Sequence, residues 1–230
     1  MRTSPTLLIA LALGLSACAG RSGSAPSTAP QPQLASGVER ARVDSLRYPY
    51  TSGDIAFMRG MIQHHAQAIM ISRWAPSHGA SPAVQRLTAR IINAQQDEIT
   101  LMQKWLMDRN QDAPTVDSTG TVTGVPEDEH AGHEMPGGHG GHAGMPGMLT
   151  TAQLATLDAA RGEEFDTLFL QYMIMHHRGA VLMVRDLLSQ NGSGQDETIF
   201  KFAADVEVDQ STEIRRMLQM LLELGGIPPN

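Results

Sequence analysis

The chain has a single cysteine, Cys18, so no disulfide within it can brace the fold. It has no surplus of positive charge either: the formal net charge is −7, which leaves no basic field for nucleic acid. The patterns GxSxG and HExxH and a phosphate-binding loop are all missing; with no catalytic motif, the chain is not read as an enzyme. Aromatic residues make up only 4% of the sequence, against 14 methionines. Methionine is a common core filler, yet the imbalance directs attention to thioether sulfur.

What is present begins with an export signal. Residues 1–17 hold Arg2 and the apolar run TLLIALALGLS, too short to span a bilayer as a mature helix. The run ends in LSAC, the pattern of a bacterial lipoprotein signal in which Cys18 becomes the acylated first residue. The expected location is the cell envelope, facing the periplasm or at the surface, with a lipid anchor at Cys18. No Asp follows the cysteine, which favours the outer membrane if there are two. Residues 18–42 are rich in Ser, Ala, Pro and Gly and read as a flexible tether. The roughly 190 residues that remain suffice for one domain with its own core.

That domain contains one pattern twice. GMIQHHAQAIM at 60–70 returns as YMIMHHRGAVL at 172–182. A spacing of 112 places Asp54 on Asp166, Phe57 on Phe169, Met61 on Met173, both histidines on both histidines, and Ala68 on Ala180. Farther on, QQDEITLM (95–102) matches QSTEIRRM (210–217), pairing Gln95 with Gln210, Glu98 with Glu213 and Met102 with Met217. The repeat is therefore a helix–loop–helix unit. The fold class read from it is all-α: a hairpin over 43–110 and its copy over 151–230, packed as a four-helix bundle.

Periodicity carries the helices. Ile55, Met58, Ile62, His65 and Ile69 fall on one stripe, and Phe57, Met61, His64, Ala68 and Ile71 on an adjoining one. The second copy repeats both, and a helix apolar over two adjoining stripes is mostly buried. Asp54 and Asp166 are expected near the helix starts, as caps or as partners of the helix dipole.

Met61 neighbours His64 and His65, and Met173 neighbours His176 and His177, at three and four residues along a helix. Adjacent residues diverge by about 100°, so one helix cannot easily give both imidazoles to one ion. One histidine of each pair is expected beside methionine, and the other to turn toward a carboxylate such as Glu98 or Glu213, which would fix its tautomer. Structural histidine–carboxylate contacts inherited by duplication explain the doublets as well as metal does. Which histidine turns which way stays open.

Residues 111–150 are expected to be a mobile loop with nothing to bury. Within it, His130, His133, Met135, His139, His142, Met145 and Met148 crowd together. Imidazole suits copper, zinc and nickel, while thioether sulfur is soft and favours Cu(I) or Ag(I). Zinc alone would favour thiols that are absent here. Copper follows, as Cu(I) in preference to Cu(II), Ag(I) or Zn(II). A di-iron carboxylate bundle needs Glu-x-x-His, and DEIT and TEIR supply a Glu without the His.

The repeats DIAFMRGMIQHHAQAIMIS and FDTLFLQYMIMHHRGAVLMV, joined through MPGMLTTAQLATLDAARGEEFD, resemble domain-of-unknown-function family 305 (DUF305) from about Asp54 to Leu222. The resemblance implies a ferritin-like bundle, exported and linked to copper binding and tolerance. It implies Met61, His64, His65, Met173, His176 and His177 as ligands, with Met58 and the loop residues as weaker candidates.

Together these readings make the chain an exported lipoprotein that sequesters or buffers copper, with metal ions and a copper-trafficking protein as its expected partners. Retention is expected to weaken as imidazoles protonate near pH ~6.5. The alternatives are a scaffold bundle with a metal-scavenging linker and, less favoured, a copper-dependent oxidoreductase.

Overall fold

The computed structural model describes residues 36–47, 49–124 and 145–229. The signal, Cys18 and the loop residues His130, His133, Met135, His139 and His142 lie outside them. The element order is α1 (Gly37–Arg47), α2 (Ser52–Ser72), α3 (Pro82–Asp108), β1 (Thr115–Val116), β2 (Val122–Thr123), α4 (Thr151–Ala159), α5 (Gly162–Ser189) and α6 (Glu197–Glu223). No helix among the described residues is long and apolar enough to cross a membrane.

The two doublets sit on α2 and α5, the helices the repeat predicts. A reciprocal cap opens α2: the Asp54 N–H donates to the Thr51 hydroxyl, and the Asp54 carboxylate accepts from the Thr51 N–H at 2.7 Å. α2 then buries both stripes, from Phe57 and Met58 through Met61, Ile62, His64 and His65 to Ala68, Ile69 and Ile71. α5 does the same with Phe169, Leu170, Met173, Ile174, His176, His177, Ala180 and Val181.

The chain is all-α in its architecture. α2 packs against α3 and α5, and α5 packs against α6, so the doublet helices form the inner pair and their amphipathic partners flank them. The core has two clusters. One gathers Ala68, Ile71, Leu87, Ile91, Phe165, Phe169, Met173, Met217 and Leu221. The other gathers Met58, Met61, Ile62, Ile99, Met102, Val184, Phe202 and Val206. Along both α2 and α5 the histidines fall where one cluster gives way to the other.

Each repeat also clamps the other's connecting loop. Asp54 Oδ1 accepts from the Gly194 N–H at 2.7 Å in the α5–α6 loop. The Asp166 carboxylate accepts from the Ser81 N–H at 3.1 Å in the α2–α3 loop. Asp166 therefore does not cap its own helix: α5 starts earlier, at Gly162, with no side-chain cap. Its carboxylate, a full turn inside, serves the neighbouring hairpin instead.

Two expected boundaries differ. α1 begins at Gly37, inside the stretch 18–42 expected as tether. The segment 111–150 is structured at both described ends. β1 and β2 pair antiparallel, and Asp117 Oδ1 accepts from the Thr119 and Thr121 N–H groups in the turn. Gly120, at φ +89°, passes so close to α2 that a Cβ would stand 2.6 Å from the Ala66 carbonyl oxygen. At the other end Leu149 is only 3% exposed. Composition misjudged these ends because a short hairpin satisfies itself through local backbone bonds, and one apolar residue is enough to anchor a strap.

Candidate metal centre

His64 and His176 face each other between the inner helices, with ring centroids 3.8 Å apart and planes tilted by 40°. Both are fully buried. His64 Nε2 lies 3.0 Å from the Pro146 carbonyl oxygen. A carbonyl only accepts, so Nε2 carries the proton and Nδ1 keeps its lone pair. Among the described residues that Nδ1 has no hydrogen-bond partner, and neither nitrogen of His176 has one.

The outer histidine of each doublet turns away, toward its own hairpin partner. His177 Nε2 donates to Glu213 Oε2 at 2.7 Å. His65 Nε2 stands 2.6 Å from Glu98 Oε2, but the approach is bent too far for a hydrogen bond, and the nitrogen counts as unpartnered. In both, Nδ1 is also buried and unpartnered. The division of labour within each doublet is thus resolved in space: 64 and 176 inward to each other, 65 and 177 outward to carboxylates.

Burial holds these inner imidazoles neutral. It is the main cause that lowers His64 to about 3, with the neighbouring charge of His65 next; the Pro146 contact opposes both. His176 is pushed well below the usual histidine range by burial first, then by the charges of His64, His177 and His65, with the His64 backbone opposing them. The expected loss of lone pairs near pH ~6.5 therefore does not apply to this pair, because charging either ring inside an apolar core costs more than proton binding returns.

A strap of residues 145–150 closes the pair from one side. Gln67 grips its backbone at both ends of one amide: Gln67 Nε2 donates to Leu149 O at 3.1 Å, and the Leu149 N–H donates to Gln67 Oε1 at 2.7 Å. Gly147, at φ +79°, lies against α5, where a Cβ would stand 2.9 Å from the His176 carbonyl oxygen. Met145 Sδ and Met183 Cε come within 3.4 and 3.5 Å of the point a Cβ on Gly60 would occupy. Gly60 is one helical turn before His64, so two thioether side chains converge on the face that carries His64.

A family model for DUF305, a domain of unknown function, matches residues 54–221. The chain belongs to DUF305. Its solved relatives share the fold over most of their length. A DUF305 protein from Streptomyces coelicolor is 27% identical with a TM-score of 0.63, covering 78% of this chain and 98% of that one. CopM in its Cu(II)-bound form is 26% identical with a TM-score of 0.53, covering 74% and 96%. The uncharacterized protein L153 of Acanthamoeba polyphaga mimivirus is 38% identical over 56 residues, 24% of this chain and 37% of its own length.

For this DUF305 chain, Met58, Met61 and Met173 are fully buried on the helices that bear the doublets. Met145 and Met148 belong to the strap. Among the described residues no three His, Cys, Asp or Glu side chains converge as a ready ligand set. Imidazole nitrogen and thioether sulfur are thus the donor types that the inner helices carry, and both suit soft or borderline metal ions better than hard ones.

Sequence reasoning missed Gln67, Pro146, Gly147, Gly60 and Met183 as parts of this centre. The repeat match of Gln95 with Gln210, two buried amides, is the one signal of a polar feature outside the doublets.

Proposed function

We propose that this DUF305 protein binds copper, Cu(I) in preference, and sequesters or buffers it in the cell envelope. The observation that carries the reading is the buried His64–His176 pair, whose three unpartnered ring nitrogens stay neutral under a methionine-bearing strap. Leaving such atoms unpaired in an apolar core costs free energy, and a soft cation held by imidazole and thioether would offset it. His64 and His176 would supply nitrogen; Met61, Met173 and Met145 are the sulfur donors at hand. Glu213 holds His177 Nε2–H and leaves Nδ1 as its open nitrogen, while Glu98 stands beside His65 as a charged neighbour. The solved copper-bound forms of CopM support copper as the ion.

The histidines and methionines of 130–142 would capture ions and raise their local concentration. Export and lipidation at Cys18 place the site where excess copper arrives. A secreted-protein description of the Streptomyces relative supports the export half of this reading. No catalytic step is proposed, because a fully buried pair of imidazoles under a strap suits storage rather than turnover.

The test is metal analysis of the mature domain under reducing conditions, with Cu(I), Ag(I) and Zn(II) in competition. Removing residues 127–144, which spares the strap, should leave tight Cu(I) binding in the bundle. Loss of all tight binding on that deletion would favour the scaffold reading, as would equal binding by wild type and by a His64→Gln, His176→Gln variant.

A further inference from the structure

α3 and α6 flank the inner helices without continuous packing on each other, which leaves a seam between them. Arg90 of α3 reaches across it, with Nη2 4.0 Å from Glu213 Oε1 of α6. The two helices run antiparallel there. Leu87 and Ile91 share a core cluster with Met217 and Leu221, while Ile99 and Met102 share the other with Phe202 and Val206. With Arg90 opposite Glu213, a rise of about 1.5 Å per residue puts Gln95 and Gln210 near mid-seam. Glu98 then stands level with Asp205, and Asp209 stands level with Ala94, one turn nearer the glutamines.

The two glutamines are 2% and 3% exposed. Among the described residues, neither amide atom of Gln95 has a hydrogen-bond partner, and Gln210 Oε1 has none. One orphaned buried amide is an expensive accident; two at repeat-matched positions point to a polar guest between them. Glu98 and Glu213 join this seam to the buried histidines: their side chains are 18% and 16% exposed, and each touches a fully buried imidazole.

The seam is not symmetric. Arg90 and Ala94 occupy the positions that Asp205 and Asp209 hold in the second repeat. One end is therefore closed by a cation, while carboxylates gather at the other. Burial first, and then the charges of Glu98, Asp205 and Glu213, raise the Asp209 carboxyl above its ordinary range. The histidine contacts differ in the same sense: His177 is hydrogen-bonded to Glu213, whereas His65 Nε2 stands 2.6 Å from Glu98 without forming a hydrogen bond.

We propose that the α3–α6 seam is the route by which a cation enters the core, admitted at the Glu98–Asp209 end, passed between the amides of Gln95 and Gln210, and delivered to His65 ahead of His177. This rests on the metal-binding reading above. Asp209 steers the ion and does not ligate it, since no three-donor set forms among the described residues. The amide oxygens replace part of the ion's hydration shell without holding it by charge. Arg90 repels a cation from the opposite end.

Stopped-flow uptake of Cu(I), supplied as its acetonitrile complex to the full mature chain without oxygen, tests the route. Asp209→Asn should slow uptake about threefold, the effect of one unit charge about 7 Å from an ion's path in a water-like dielectric. It should also flatten the dependence of rate on ionic strength, with the copper bound at saturation unchanged. Ala94→Asp, at an exposed position, should speed uptake by a similar factor. Replacing Gln95 and Gln210 together by leucine should slow uptake without lowering the melting temperature, because the orphaned amides are gone. Equal rates for wild type, Asp209→Asn and Ala94→Asp at low salt would overturn the route and leave copper binding standing. A wild-type chain that takes up no Cu(I) overturns both.

Discussion

Gly179 of α5 leaves open the space that the Pro146 carbonyl fills: a Cβ there would overlap that carbonyl and stand 2.7 Å from Gly147 Cα. The same carbonyl is the acceptor for His64 Nε2. Gly179→Ala must lift the strap and strip His64 of its partner. The expected cost is about 1–3 kcal/mol, typical of overpacking a filled site, read from the urea midpoint of the metal-free protein. Histidine modification by diethyl pyrocarbonate should quicken in the same variant. An unchanged midpoint would mean that the strap yields freely and does not close the centre.

The two carboxylates that face the outer histidines should not be equivalent. Glu213→Ala leaves the His177 N–H buried without its acceptor, a loss of about 1–3 kcal/mol. Glu98→Ala removes a contact that is short but bent, so its cost should be smaller. Glu213→Gln keeps an acceptor oxygen and should recover part of the loss. Equal destabilisation by the two alanine variants would show that the bend at His65 has no energetic meaning.

Acid should weaken the metal-free fold through the inner histidines. Both are held below their ordinary range, His64 at about 3 and His176 also well down, whereas in an unfolded chain they titrate near ~6.5. As pH drops from ~6.5 toward 3, the unfolded chain takes up protons that the folded chain refuses, so stability falls; above ~6.5 neither state is charged and the contribution vanishes. Each group adds a slope of up to about 1.4 kcal/mol per pH unit. Urea denaturation from about pH 7.5 down to about pH 5 should show a shallower slope for His64→Gln, His176→Gln than for wild type. Parallel slopes would mean that these rings protonate in the fold.

The doublet, its copy and the matched glutamates were legible because helical spacing and duplication write themselves periodically. Periodicity also foresaw that the two histidines of a pair must part. It could not say which turned inward, since that depends on how α2 and α5 rotate against each other. The closure over His64 was illegible for a different reason. Pro146, Gly147 and Leu149 meet α2 and α5 across long loops, and such contacts leave no local pattern. Composition even argued against them, because a Gly- and Pro-rich stretch reads as unfolded until a buried glutamine, Gln67, supplies both halves of a backbone clamp. The orphaned Gln95 and Gln210 fall between these cases, visible as a repeat match but meaningless until their burial is seen.

The crossed clamps at Asp54 and Asp166 give the last prediction, which concerns how the two repeats hold each other. Asp54 is fully buried and does three jobs: it accepts from the Thr51 N–H and hydroxyl and from the Gly194 N–H across the repeat boundary. Among the described residues Asp166 accepts only from Ser81, at a longer 3.1 Å. Asp54→Ala removes a cap and orphans a buried N–H at once, so about 2–4 kcal/mol should be lost. Asp166→Ala should cost about 1–2 kcal/mol. Because the two residues lie at opposite ends of the crossed pair and share no partner, the double variant should be close to additive. Strong non-additivity in denaturation would instead reveal that the two clamps act as one latch, coupling the ends of the bundle through the histidine layer between them.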